Sequence, residues 1–234
     1  MNNKIIVMTT FKRPEYTKLV LEGMRSCYGI EDYKILIHSE PGHSDVIDVI
    51  RSFTDLNIEL TINPKIIGCN GNTFNCLSHG FSLSDFVIHI EDDSVPVKDC
   101  LKYFEWARDE YVNDKTVWAV TSYDQCDACN SDLYYAVYRK DWFFCFGWAT
   151  WIDRWEEIKS LWHHTESGIA WDERISNHRK GRVTIVPKVP RTQNIGAENG
   201  VHVPNVEFYK KYQYNPFWAG CVDLGEPKQF FEIR

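Results

Sequence analysis

The chain predicts an α/β fold: a Rossmann-like, mixed but mostly parallel sheet flanked by helices. Three observations carry that reading. Short β-branched runs alternate with helical patterns through the first hundred residues. The run "DFVIHI" is almost continuously apolar, as in a strand covered on both faces. No Gly/Ser- or Pro-rich linker interrupts the 234 residues, so one domain is expected, with 1–125 as a nucleotide-binding half and 126–234 as the rest of a pocket.

Taken in order, "KIIVMTTF" is a strand, and "RPEYTKLVLEGMRSCYG" a helix opened by Pro14, with Leu19, Val20, Met24 and Cys27 at helical spacing. "YKILIHSE" is a second strand, "SDVIDVIRSF" a helix for which Ser44 is the expected N-cap, and "NIELTIN" a third strand. "NGNTFNCLSHGFS" is a moderately amphipathic helix, and "DFVIHIEDD" the fourth strand. "VKDCLKYFEWARDEYVND" repeats apolar residues at three- and four-residue intervals, and "TVWAVTSYD" is a fifth strand. Beyond Asp127 the pattern loosens into an expected hairpin around "YYAVYRK", an aromatic block "DWFFCFGWATWIDRW", a helix near Asp172–Lys180 and a strand "RVTIVPKVP".

Composition narrows the function classes. A content of 44% hydrophobic and 15% aromatic residues fills a substantial core. The formal charge of −7 argues against a mainly electrostatic grip on nucleic acid, although a local basic patch stays compatible with it. No stretch approaches the roughly 20 apolar residues that cross a bilayer, and no signal peptide is visible, so a soluble cytoplasmic protein is expected. The eight cysteines are scattered and read as mostly free thiols. Cys126 and Cys129 have zinc-knuckle spacing but lack a second pair, and His163 and His164 are adjacent, which is not usual ligand spacing.

Several segments admit two readings. Glu91, Asp92 and Asp93 end the fourth strand, where α/β sheets bind ligands, and suit Mn²⁺ or Mg²⁺ with its preference for oxygen ligands; a solvated acidic turn has the same sequence. Asp172 and Glu173 beside Trp171 suit a general base, or merely acidic residues at a helix start. "RTQNIGAENGVH" reads as a loop that closes on a ligand or as an ordinary connection. In "FFCFGWATW" the rings favour core packing, while Gly147 among them suggests a close backbone approach and exposed rings could stack on a sugar.

In this order, "TTFKRP", "SEPGH", "EDD", "FGWATW", "WDERI" and "RTQNIGAENGVH" resemble a GT-A glycosyltransferase, and within that group the N-acetylglucosaminyltransferase I family, over roughly Lys4–Val203. The resemblance implies a single GT-A domain and inverting, metal-dependent transfer of GlcNAc or another hexose from a UDP-sugar to a carbohydrate or glycoconjugate acceptor. It implies donor contacts from Thr10, Lys12 and Arg13 in the first loop, Glu40 against uracil, Asn70, Asn72 and Asn75 in the segment approaching the donor, Glu91 and Asp92 on sugar or ribose, Trp171 lining the sugar site, and Arg191. Asp93 is the implied ligand of Mn²⁺ or Mg²⁺, Asp172 the implied base with Glu173 as its alternative, and His202 a second metal ligand. Asn70, Asn72 and Asn75 stand where the family has Arg and His, and His202 replaces a small hydroxyl residue. Two other readings are a sugar-phosphate nucleotidyltransferase, although "TTFKRPEY" has no glycine, and a non-catalytic nucleotide-sugar or carbohydrate-binding module.

Overall fold

The computed structural model describes residues 3–125, 131–162, 164, 171–197, 203, 205–216 and 228–233. In chain order the elements are β1 (Lys4–Thr10), α1 (Pro14–Arg25), β2 (Tyr33–Ser39), α2 (Ser44–Ser52), β3 (Ile58–Ile62), α3 (Gly68–Leu83), β4 (Phe86–Glu91), β5 (Ser94–Pro96) and α4 (Cys100–Tyr111). They continue with β6 (Val117–Thr121), β7 (Ala136–Lys140), β8 (Trp148–Trp151), α5 (Ile152–Lys159), α6 (Trp171–His178), β9 (Val183–Pro187), β10 (Thr192–Asn194), α7 (Val206–Tyr212) and β11 (Phe231–Glu232).

Nine strands form one sheet in the order β11-β7-β9-β6-β8-β4-β1-β2-β3, and β10 pairs with β5 in a small second sheet. β1 to β4 are parallel, with β1 between β2 and β4. β8 enters antiparallel between β4 and β6, so β8 is the middle strand of a mixed sheet and β4 lies beside it. The sheet draws strands from both halves of the chain.

Successive side chains of a strand face opposite layers. Ile6 and Met8 of β1 join Val20, Leu21 and Met24 of α1 and Leu101 and Phe104 of α4 on one face. Ile5 and Val7 join Leu77 and Phe81 of α3, Trp155 of α5 and Trp171 of α6 on the other. Each fully buried Ile, Leu or Met contributes about 1.5–3 kcal/mol relative to exposure. Helices α1, α3 and α4 fall where their spacing places them, and Pro14 stands in the first turn of α1, where its fixed φ and missing N–H do no harm.

Two expectations change. Ser44 is the first residue of α2 rather than its N-cap; His43 holds the cap position and its side chain makes no capping bond. "YYAVYRK" forms no local hairpin: β7 pairs antiparallel with the distant β9 and parallel with β11. The aromatic block splits between β8, α5 and the segment before Gly147. Gly147 has φ +83, and a Cβ there would collide with Ser122 Oγ, which is the close approach its sequence context suggests. Among the described residues Cys27, Cys76, Cys100 and Cys145 are free thiols, whereas Cys126, Cys129, Cys221 and His163 lie outside the described residues. Among those residues no helix is long and apolar enough to cross a membrane.

Candidate active site

Parallel register brings the carboxyl ends of three strands together. Thr9 of β1 pairs with Glu91 of β4, and Thr10 with Ser39 of β2, while the Glu40 N–H donates to Thr10 O at 3.1 Å. Above them lies a cleft of about 330 Å³. The first loop contributes Thr10, Phe11, Lys12 and Arg13 to its walls, β2 contributes Glu40, and the start of α3 contributes Gly68, Cys69 and Asn72. The turn after β4 supplies Glu91, Asp92 and Asp93; the far wall holds Cys145, Phe146, Trp171, Asp172 and Asn194.

The amino terminus of α3 opens on this cleft, and the positive end of the helix dipole there favours negative charge. Glu40 already exploits that end: both its carboxylate oxygens accept from the Ile67 N–H at 3.2 Å, and Oε2 also accepts from Asn63 Nδ2 at 3.3 Å. Asn63 Nδ2 donates in turn to Asn72 Oδ1 at 2.9 Å, and Asn72 Nδ2 to His38 O at 3.1 Å, so this wall is held by buried polar bonds.

Three carboxylates in a row repel, and one cation answers them. The Arg13 guanidinium bonds Asp92 Oδ1 and lies 2.8 Å from Asp93 Oδ2. Burial pushes the Asp92 carboxyl up to about 6, with Arg13 opposing and Asp93 reinforcing the rise. Burial, followed by the charges of Asp93, Asp172 and Asp92, holds Glu91 well above the ordinary carboxylate range.

Among the described residues Asp93 Oδ1 is buried without a hydrogen-bond partner, a costly arrangement for a carboxylate unless a ligand completes it. The backbone crowds the other oxygen: a Cβ at Gly196 would run into Asp93 Oδ2, and the Ile195 N–H donates to Asp93 O at 2.8 Å. Among the described residues no group of three or more His, Cys, Asp or Glu is arranged to hold a metal. One free carboxylate oxygen therefore fits a hard dication of the Mg²⁺ or Mn²⁺ kind, which keeps water and substrate phosphate in its other positions.

Asp172 stands in the first turn of α6 and lines the cleft, while its neighbour Glu173 is exposed and does not. Asn70 Oδ1 accepts from the Trp171 N–H at 3.1 Å, capping α6 from another helix. The Trp171 ring stacks on Trp162 at 5.5 Å and Trp148 at 5.7 Å and meets His89 edge-on at 5.5 Å. The Cys145 thiol hydrogen-bonds to Asp172, and burial pushes that thiol far up. The base candidate thus stands on an aromatic stack that locks its helix in place.

Thr10, Lys12, Arg13, Glu40, Asn72, Glu91, Asp92, Asp93, Trp171 and Asp172 all reach this cleft. Three others do not. Asn70 is buried behind the wall and anchors Trp171. Asn75 faces solvent from α3. Arg191 is fully buried; its guanidinium bonds Asp99 at 3.0 Å and the carbonyls of Val189 and Tyr134, so it braces the chain ahead of β10 and does not line the cleft. His202 lies outside the described residues. Cys145, Phe146, Ile66, Val203 and Gln213 line the cleft without having been singled out; Phe146, one residue before Gly147 in the aromatic block, is the one that sequence could have flagged.

The profile of the GNT-I family matches residues 73–215, more than half of the chain. An alpha-1,3-mannosyl-glycoprotein 2-beta-N-acetylglucosaminyltransferase of Arabidopsis thaliana is 33% identical over 130 residues, covering 54% of this chain and 28% of its own. Among solved structures, residues 1–349 of S. aureus TarS in complex with UDP-GlcNAc superpose with TM-score 0.62 at 11% identity, over 81% of this chain and 57% of that one. The mannosyltransferase PcManGT of Pyrobaculum calidifontis, in complex with GDP-Man and Mn²⁺, gives TM-score 0.52 at 14% identity over the same shares. The fold is that of the GT-A glycosyltransferases, and the chain spans little over half the length of these solved structures and less of the plant protein.

Proposed function

The chain belongs to the GNT-I family, and on that premise we propose that it is an inverting, metal-dependent glycosyltransferase moving GlcNAc or another hexose from a UDP-sugar to a carbohydrate hydroxyl. The observation that carries this reading is the meeting of Asp172 with Glu91, Asp92 and Asp93 in one cleft at the strands' carboxyl ends.

On this reading Asp172 accepts the proton of the acceptor hydroxyl as that oxygen attacks the anomeric carbon, and the bond to the UDP oxygen breaks in the same displacement. One displacement inverts the centre. Arg13, Lys12 and the amino terminus of α3 supply positive potential for the diphosphate. Asp93 would hold the dication, which when bound offsets charge on the departing diphosphate. Glu40 and Asn72 line the nucleotide end, and Trp171 the sugar end.

The stereochemical half of the reading has its own test. An α-linked UDP-sugar must yield a β-linked product, seen in the anomeric proton coupling by NMR; retained α configuration contradicts the single displacement.

A further inference from the structure

Between β7 and Gly147, the side chains of Trp142–Phe146 turn alternately to two sides. Phe143 is 5% exposed and packs on Trp118 at 4.9 Å and edge-on to Trp148 at 5.2 Å, inside the core. Cys145 turns to Asp172. The even-numbered rings form a row on the other side: Trp142 lies 6.4 Å from Phe144, and Phe144 and Phe146 are each edge-on to Tyr123, at 5.3 and 5.0 Å. Core packing accounts for Phe143. It does not account for Trp142, which is 59% exposed at the outer end of that row.

The row is continuous with the cleft. Its inner ring, Phe146, lines the cleft beside Cys145 and Asp172. In the sheet, β8 follows directly from this segment and lies on one side of β4, whereas β1 and β2, which carry Thr10 and lead into Arg13 and Glu40, lie on the other. The rings therefore lead away from the carboxylates on the side opposite the nucleotide end.

The inner part of the platform is braced. The Tyr123 hydroxyl donates to Gln213 O at 2.7 Å, Asn215 Nδ2 donates to Asp124 O at 2.7 Å, and the Asp124 carboxylate takes both the Tyr138 hydroxyl and Lys140 Nζ. Lys140 Nζ stands 5.1 Å from the Phe144 ring centre. Rings fixed before binding lose little entropy on meeting a ligand. Separate rings bordered by lysine and carboxylate suit a ligand with alternating apolar faces and polar rims, which is the character of linked pyranose rings; a broad apolar patch would suit a lipid tail or an apolar helix better.

We propose that Phe146, Phe144 and Trp142 form an acceptor platform for a carbohydrate chain of at least two sugar residues, with the reacting sugar on Phe146 beside Asp172 and the following residues on Phe144 and Trp142. The proposal rests on the glycosyl-transfer reading for its direction, and it adds the length and chemistry of the acceptor.

The test is a panel of oligosaccharides and their terminal monosaccharides, titrated with UDP and Mn²⁺ present into wild type, Trp142→Ala and Phe144→Ala, each variant checked for an unchanged unfolding temperature. At least one oligosaccharide is expected to bind wild type and to lose about tenfold in affinity with Trp142→Ala, a usual size for truncating an interface aromatic, while its monosaccharide loses nothing. Equal affinity in both variants, or no oligosaccharide bound by wild type, overturns the platform. Separate titration of UDP alone into wild type keeps the two ideas apart: absence of UDP binding counts against the donor site, whatever the oligosaccharides do.

Discussion

The backbone N–H of Trp171 donates to the side-chain oxygen of Asn70 at 3.1 Å, tying the first turn of α6 to the first turn of α3. One helix that borders the cleft thereby holds the helix that carries Asp172. Asn70→Ala leaves that N–H unpaired and is expected to cost about 0.5–2 kcal/mol, the range for a lost helix cap. Because Asp172 is one residue away, kcat should fall about tenfold or more with donor KM little changed. Asn70→Asp keeps an acceptor and should recover part of both; denaturant unfolding and steady-state kinetics check this together.

Two adjacent carboxylates are placed differently. Asp172 lines the cleft and Glu173 faces solvent. Asp172→Asn should lower kcat by about 10²–10⁴-fold, the span of general base catalysis, and Glu173→Gln by less than about twofold. Comparable losses in both would remove Asp172 from its role.

The Asp93 carboxylate has a backbone neighbour that tolerates no side chain. A Cβ at Gly196 would meet Asp93 Oδ2, so Gly196→Ala should displace the carboxylate rather than unfold the chain. Mn²⁺ affinity and turnover are expected to drop, the latter by about 10²-fold for a displacement near 1 Å. Unchanged turnover in a folded Gly196→Ala would show that the Asp93 position is not critical.

His89 is 1% exposed on β4, accepts from Trp148 Nε1 at 3.1 Å, and is lowered by burial from its ordinary range to about 3. Unfolding releases it to titrate near 6.5. The unfolded chain then binds the extra proton, so stability is full above about pH 6.5 and falls as pH drops toward 3, by up to about 1.4 kcal/mol per pH unit. His89→Gln keeps an acceptor for Trp148 without titrating. Its stability between pH 6.5 and 4 should decline less steeply than that of wild type, as read by urea unfolding at several pH values.

The first half of the fold is legible in the sequence because each element states itself locally: Ile5, Val7 and Met8 in a strand, and Val20, Leu21 and Met24 at helical intervals. The acidic turn after β4 is legible for the same reason. The insertion of β8 between β4 and β6 is not, since antiparallel pairing with strands so far away leaves no local periodicity, and β7 looks like half of a hairpin until β9 takes its partner's place. Side-chain direction around a helix is equally hidden. Asn70, Asn72 and Asn75 look alike in sequence, yet one anchors Trp171, one lines the cleft and one meets solvent. Arg191, expected among the donor contacts from the resemblance, is buried against Asp99, where a neutral side chain would strand that carboxylate.

The most direct measurement is release of UDP from a panel of nucleotide sugars, with and without Mn²⁺, by wild type, Asp93→Ala and Asp172→Asn. UDP should appear from at least one UDP-sugar only when the dication is present, and both variants should lose nearly all of it. Metal-independent release, equal release by Asp93→Ala, or formation of pyrophosphate from UTP and a sugar phosphate in place of UDP would contradict the account.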